Sequence, residues 1–251
     1  MSQGDFYSPR HHHNFEQIRV GLEGTLDFDR DGKMSPGVVG YFPEGVYYGP
    51  QSQDANAVAS AAVLQFGGAS GSGYLSQAEV QAGMRELRDE GEFKDGVFRR
   101  RADVEGKRNL DGYQAIWEHV NERPMVYPKP RYPQPIFMDP ANYEWVPVEG
   151  APGVAEKLVG VFTERRSEAG LIKLDAGASY VARGKGVHVV TRGAGAVGSE
   201  RLRPLTTLYL GPGETATVTA REETELLHFG LPNLAGLRAP VRAAAPAEAA
   251  E

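Results

Sequence analysis

The chain has 251 residues, 41% hydrophobic and 24% charged, with a formal net charge of −6 and no cysteine. This is an ordinary globular composition, long enough for one large domain or two small ones, and it lacks the clustered Lys and Arg that a nucleic-acid partner needs. Disulfides and thiolate metal sites are excluded, so any transition-metal site must use His, carboxylate, amide, phenol and water; no signal-type or long apolar run is present, which predicts a cytoplasmic protein off the membrane.

Three of the six histidines stand together in PRHHHNFEQIR, residues 9–19. The run is too short and too embedded for a purification tag. Extended chain would put His11, His13, Phe15, Gln17 and Arg19 on one side and His12, Asn14 and Glu16 on the other, so two imidazoles share a face with an amide and a guanidinium. Residues 4–75 are short Gly-, Tyr-, Val- and Phe-rich runs broken by turns such as Asp29-Arg30-Asp31-Gly32, the pattern of an all-β barrel or sandwich.

Residues 76–122 read as helical. SQAEVQAGMRELRDEG opens on Ser76 as N-cap with Glu79 completing a capping box, and Gly91 is the expected stop. DGYQAIWEHVNERP is a second helix ended by Pro124, with His119 a surface or packing histidine, and Arg99-Arg100-Arg101 a solvated face. Residues 124–148 hold seven prolines among many aromatics; they are extended, too apolar for a free linker, and read as a strap over the first domain. Short strands and Gly turns return over 155–233, and residues 239–251, rich in Ala, Pro and Glu, read as a disordered tail.

A second stretch completes the first. PGVVGYFPEGVYYGPQ, residues 36–51, carries Gly37, Pro43 and Gly45 as G-x5-P-x-G, and the opening stretch runs His11-x-His13-x3-Gln17-x6-Gly24. Together they resemble the two motifs of the cupin superfamily. The resemblance implies an all-β fold, two jelly-roll barrels in tandem: an N-terminal cupin over 1–75 that begins without its first strands, a helical segment and strap over 76–150, and a C-terminal cupin over 151–238. It also implies a metal on two histidines, a glutamate and a third histidine. Here the set becomes His11, His13, Gln17 and Tyr48, an altered site with a neutral amide and a phenol where the family has an anion and an imidazole. In the C-terminal copy, Gly193 and Gly213 keep the framework, but the ligand places hold Tyr180, Ala182, Gly186 and Ala216, so this barrel reads as emptied and structural. His188 and His228 then read as satisfied core histidines.

What the resemblance implies for function is a metal-dependent enzyme acting on a small anionic or phenolic organic molecule by dioxygenase-type oxidation. A metal-dependent isomerase or lyase of the same fold and a non-catalytic small-molecule-binding module are the alternatives. Iron is the first metal expected, with Mn, Ni, Cu or Zn as others; Tyr48 and Arg19 are the expected catalytic residues. Tyr48 serves as ligand, as acid/base or as pocket lining, and Arg19, if inside the barrel, needs an anion, from substrate or from an internal carboxylate. Because a complete barrel would have run through strands before residue 9, either an N-terminal extension is missing or the strap, the second cupin or a partner chain covers an open edge; a homodimer is the expected assembly.

Overall fold

The computed structural model describes residues 7–52 and 58–237; the tail expected at 239–251 lies outside them. The N-terminal barrel is built on an antiparallel sheet in the order Ile136–Met138, Val39–Phe42, Glu16–Glu23, Ser60–Phe66. A smaller sheet of Tyr7–Ser8, Gln51–Ser52, Leu26–Asp27 and Lys33–Met34 completes it, and Leu26, Phe28, Met34, Phe42, Tyr48 and Ala59 form their shared core. The strap does more than cover this barrel: its residues Ile136–Met138 pair with Val39–Tyr41 as an edge strand. Gly45 shows how closely the strap lies, since its φ is +78° and a Cβ there would collide with the Pro128 carbonyl.

The C-terminal barrel has a six-stranded sheet, Val146–Pro147, Val154–Val161, Glu168–Leu174, Thr224–Gly230, Gly186–Arg192, Thr207–Leu210. A four-stranded sheet of Ser179–Arg183, Thr215–Ala220, Gly195–Val197 and Glu200–Leu202 faces it over a core that includes Ile172, Leu174, Val190, Val218 and Leu226. Strand alternation explains why TELLHFG is apolar throughout. Leu226 enters this core while Leu227 and Phe229 face the other barrel, so both faces of the strand are covered. In the N-terminal barrel the same alternation sends Ile18 and Val20 outward to meet them and turns Gln17 and Arg19 inward. The joint core adds Tyr41, Phe66, Met138, Val159 and Phe162.

Between the barrels in chain order come α1, Gln77–Leu87, and α2, Gly112–Asn121, which pack around a core of their own. The capping box at Ser76 and Glu79 is formed, and α2 ends on a left-handed Glu122, two residues before Pro124. The helical reading of 76–122 needs correction over 91–111, which fold as a three-stranded antiparallel sheet, Asn109–Asp111, Val97–Arg100, Gly91–Lys94. The cause is local: Asp95-Gly96 both have positive φ, the requirement of a tight hairpin turn, and Phe93 pairs with Phe98 across it. Among the described residues no helix is long and apolar enough to cross a membrane.

Glu16 is buried where the barrels meet. Ser167 Oγ, from the C-terminal barrel, donates to its Oε2 at 2.6 Å, and the Ala69 amide donates to Oε1 at 3.3 Å. Burial raises the Glu16 carboxyl above the usual carboxylate range, and the Ser167 hydrogen bond only partly opposes this. A carboxyl whose folded pKa exceeds its unfolded one stabilises the fold fully below the unfolded value and loses that contribution as pH rises through the folded value. Glu16→Gln is therefore expected to gain stability relative to the wild type as pH climbs from 4 toward 8, read as the difference between their melting temperatures. A difference that is constant with pH, or that grows on acidification, would contradict the assignment.

Candidate functional site

His11, His13, Gln17, Arg19 and Tyr48 come together inside the N-terminal barrel. The site is made by two chain segments lying side by side: His11 and Tyr48 exchange backbone hydrogen bonds of 3.1 and 2.9 Å, and the Gly45 amide donates to the His13 carbonyl at 2.7 Å. Arg10, which motif reasoning passed over, locks this pairing. Its guanidinium donates to Asp31 Oδ2, the Gly49 carbonyl and the Tyr47 carbonyl at 2.7, 2.7 and 2.9 Å. Regular strand begins only at Glu16, so His11 and His13 converge through the bridge to Tyr48 and not through strand alternation. His12 points elsewhere, stacked between Tyr47 and Tyr127 at centroid distances of 4.0 and 3.7 Å.

Arg19 is the centre of the cluster. Its Nε and one terminal nitrogen donate to Gln17 Oε1 at 2.9 and 2.6 Å; that nitrogen also donates to the Tyr48 hydroxyl at 2.8 Å, and the other to Gln51 Oε1 at 3.0 Å. The guanidinium carbon lies 4.5 Å from the Phe42 ring centroid. No carboxylate pairs with Arg19 among the described residues. Gln51, three residues past Tyr48, was the missed member; its place in the second motif, on the strand paired with Tyr7–Ser8, was the available signal.

The proton positions follow from donor chemistry. Arginine only donates, so the Tyr48 oxygen accepts from it and its own proton is free for His13 Nε2, 2.8 Å away. Burial, with smaller contributions from His11 and Arg19, holds His13 down to about 3, which keeps it neutral and able to accept. Burial raises the Tyr48 phenol, although Arg19 pulls the other way, so Tyr48 rests as a neutral phenol. His11 Nδ1 donates to the Pro9 carbonyl at 2.6 Å, leaving the lone pair on Nε2. The His11 ring lies 4.9 Å from that of His13 and 4.5 Å from that of Tyr48. His11, His13 and Arg19 are half-buried, whereas Gln17 and Tyr48 form a buried floor. Val63, opposite Arg19 in register, is 51% exposed and marks the open side.

As arranged, this set does not fit a resident dication. Gln17 Oε1 and the Tyr48 oxygen, two of the four expected donor atoms, are taken by a cation, and His13 Nε2 is taken by Tyr48. Among the described residues no group of three or more His, Asp or Glu side chains is disposed to hold a metal.

The C-terminal barrel keeps no ligand at the four motif places, with Ala182 fully buried. Its histidines differ from the expectation. His188 is buried and stacked on His228 with centroids 4.6 Å apart, but neither of its ring nitrogens has a hydrogen-bond partner among the described residues, so it is a core histidine without being a satisfied one. A cavity of about 1240 Å³ opens at this barrel's mouth, with His228, Tyr180, Glu168 and Arg183 in its wall. The chemistry-bearing cluster nevertheless lies in the other barrel.

No protein-family model matches the chain, and no curated protein does. Solved structures match in fold. A candidate dioxygenase from Nostoc punctiforme aligns over 97% of this chain and 72% of its own, with 10% identity and a TM-score of 0.58. GK1651 from Geobacillus kaustophilus aligns over 92% and 80%, with 14% identity and a TM-score of 0.52. Streptomyces albus HEPD, solved with 2-hydroxyethylphosphonate and Fe(II), aligns over 92% of this chain and 64% of its own, with 14% identity and a TM-score of 0.51. At such identities the likeness is one of fold. Two antiparallel barrels in series, the first of them carrying the glycine and proline framework of both motifs, give this chain a cupin-type fold.

Proposed function

We propose that the N-terminal barrel is the working site of a cupin-type enzyme that binds a small anionic or phenolic organic molecule and moves a proton on it, as isomerases and lyases do. The observation that carries this is the hydrogen-bond chain from Arg19 through the Tyr48 hydroxyl to His13 Nε2, with the His11 ring 4.9 Å from that of His13. Arg19 takes the anionic group of the substrate. His11 Nε2 accepts a proton from the carbon next to a carbonyl, the C–H electron pair moves into a new C=C bond, the carbonyl π pair moves onto its oxygen, and the Tyr48 hydroxyl swings its proton from His13 Nε2 to donate to that oxygen. Return of the proton to a different carbon completes an isomerisation; loss of a leaving group from the enolate completes an elimination. Burial, and then Arg19, hold the His11 imidazole down, and a bound anion opposes the second of these.

The test uses 2-oxo acids and 1,3-dicarbonyl acids in D2O, with loss of the C–H proton signal followed by NMR. The wild type is expected to accelerate exchange in at least one of them, and His11→Ala to abolish the acceleration. Oxygen uptake that depends on added Fe(II), with no C–H exchange in any compound, would replace this reading by metal-dependent dioxygenation. That second reading is supported by the adjacent imidazoles of His11 and His13 and by a fold shared with a protein that holds Fe(II).

A further inference from the structure

We propose that Arg19 is the resident cation of the N-terminal site, standing where the motif places a metal, so that the barrel binds an organic anion without one. The inference rests on the reading of this barrel as a small-molecule site and specifies how its charge is supplied. Three observations meet here. The guanidinium is within hydrogen-bond distance of two of the four donor atoms of the expected metal set, Gln17 Oε1 and the Tyr48 oxygen, and fills the space between them against the Phe42 ring. A dication on the same oxygens would have to break those bonds and sit beside a like charge. Among the described residues the hydrogen-bond partners of Arg19, namely Gln17, Gln51 and Tyr48, are neutral.

The third observation gives the altered motif a reason. A glutamate at position 17 would pair with Arg19 in a bidentate ion pair and cancel its charge. Glutamine keeps the same geometry, with two hydrogen bonds to one oxygen, and leaves the full positive charge for a ligand. Tyr48 fits the same scheme: an imidazole at that position could be protonated and would then repel Arg19, whereas a phenol accepts from Arg19 and still has a proton to give. Gln17 and Tyr48 are thus the two substitutions that a change from metal to arginine requires. The ligand class that follows is a small carboxylate or enolate whose oxygens face the exposed side of the guanidinium.

The experiment compares untagged wild type with Arg19→Ala and with Arg19→Ala/Gln17→Glu. Each is equilibrated with Zn(II), Ni(II) or Mn(II), passed through a desalting column and assayed by elemental analysis, with circular dichroism to confirm folding. The wild type is expected to retain little metal. The double variant should approach about one ion per chain and bind at least about tenfold more tightly than the wild type, and His11→Ala in that background should lose the ion. In parallel, benzoate is titrated into the wild type and into Arg19→Gln while the histidine ring resonances are followed by NMR; the wild type should respond and the variant should not. Metal content equal in the wild type and the double variant, whether full or absent, would overturn the proposal, as would an unchanged benzoate response in Arg19→Gln. Failure of C–H exchange with the metal result as expected would instead count against the proton-transfer reading alone.

Discussion

Tyr48→Phe is expected to slow C–H exchange by about 10²–10³-fold, the scale of a lost hydrogen-bond donor to a developing oxyanion, while the protein remains folded. Among the described residues the hydroxyl is what links Arg19 to His13: it accepts at 2.8 Å from one and donates at 2.8 Å to the other. Removing it leaves a guanidinium N–H and an imidazole nitrogen each short of a partner, which costs about 1–3 kcal/mol of stability for each group that solvent does not reach. A purely structural tyrosine would show that stability loss with the exchange rate per folded molecule unchanged. A metal-bound phenolate would behave differently again, because a ferric protein would be coloured and Tyr48→Phe would bleach it and release metal. Measuring exchange rate, melting temperature and visible absorbance on the same preparations separates the three roles.

Phe162→Ala should destabilise the whole molecule by about 3–5 kcal/mol, the usual loss for a buried phenylalanine, and lower the melting temperature by roughly 10 °C for a chain of this size. Phe162 is stacked on Tyr41 of the other barrel, with centroids 4.2 Å apart and planes 10° from parallel, in the core that both barrels share. Its carbonyl accepts a 2.6 Å hydrogen bond from Tyr132 of the strap, so the same residue ties three parts of the chain. Calorimetry should show a single transition moving as one. Two transitions, with the one belonging to the N-terminal barrel unmoved, would show that the barrels are stable independently.

The parts of this structure legible in the sequence were those fixed by local chemistry. Ser76 and Glu79 cap a helix because a hydroxyl and a carboxylate three residues apart reach each other's backbone amides wherever the chain turns helical. The grouping of His11, His13, Gln17 and Tyr48 was legible because glycines and a proline at fixed spacing bring two segments together. What Arg19 does there was not, since spacing shows which residues meet and not which of them has the lone pairs. Its partner Gln51 comes from a two-residue strand with no periodicity of its own. The hairpin at Asp95-Gly96 did carry a signal, two residues suited to positive φ between Phe93 and Phe98, but it lay between two strong helices. The unpaired nitrogens of His188 had no sequence signal, because burial and stacking on His228 depend on strand register 40 residues away.

The strap sets an order of events during synthesis. The N-terminal barrel cannot finish its sheet until Ile136–Met138 has left the ribosome, and Ile18 and Val20 stay bare until Leu227 and Phe229 arrive on the strand Thr224–Gly230. The first barrel to be made is thus the last to be sealed, and for most of translation the nascent chain exposes an apolar sheet with an open edge. Slow elongation late in the message lengthens that exposure, so yield in a cell depends on how quickly the second half is delivered and on which chaperones hold the first half meanwhile.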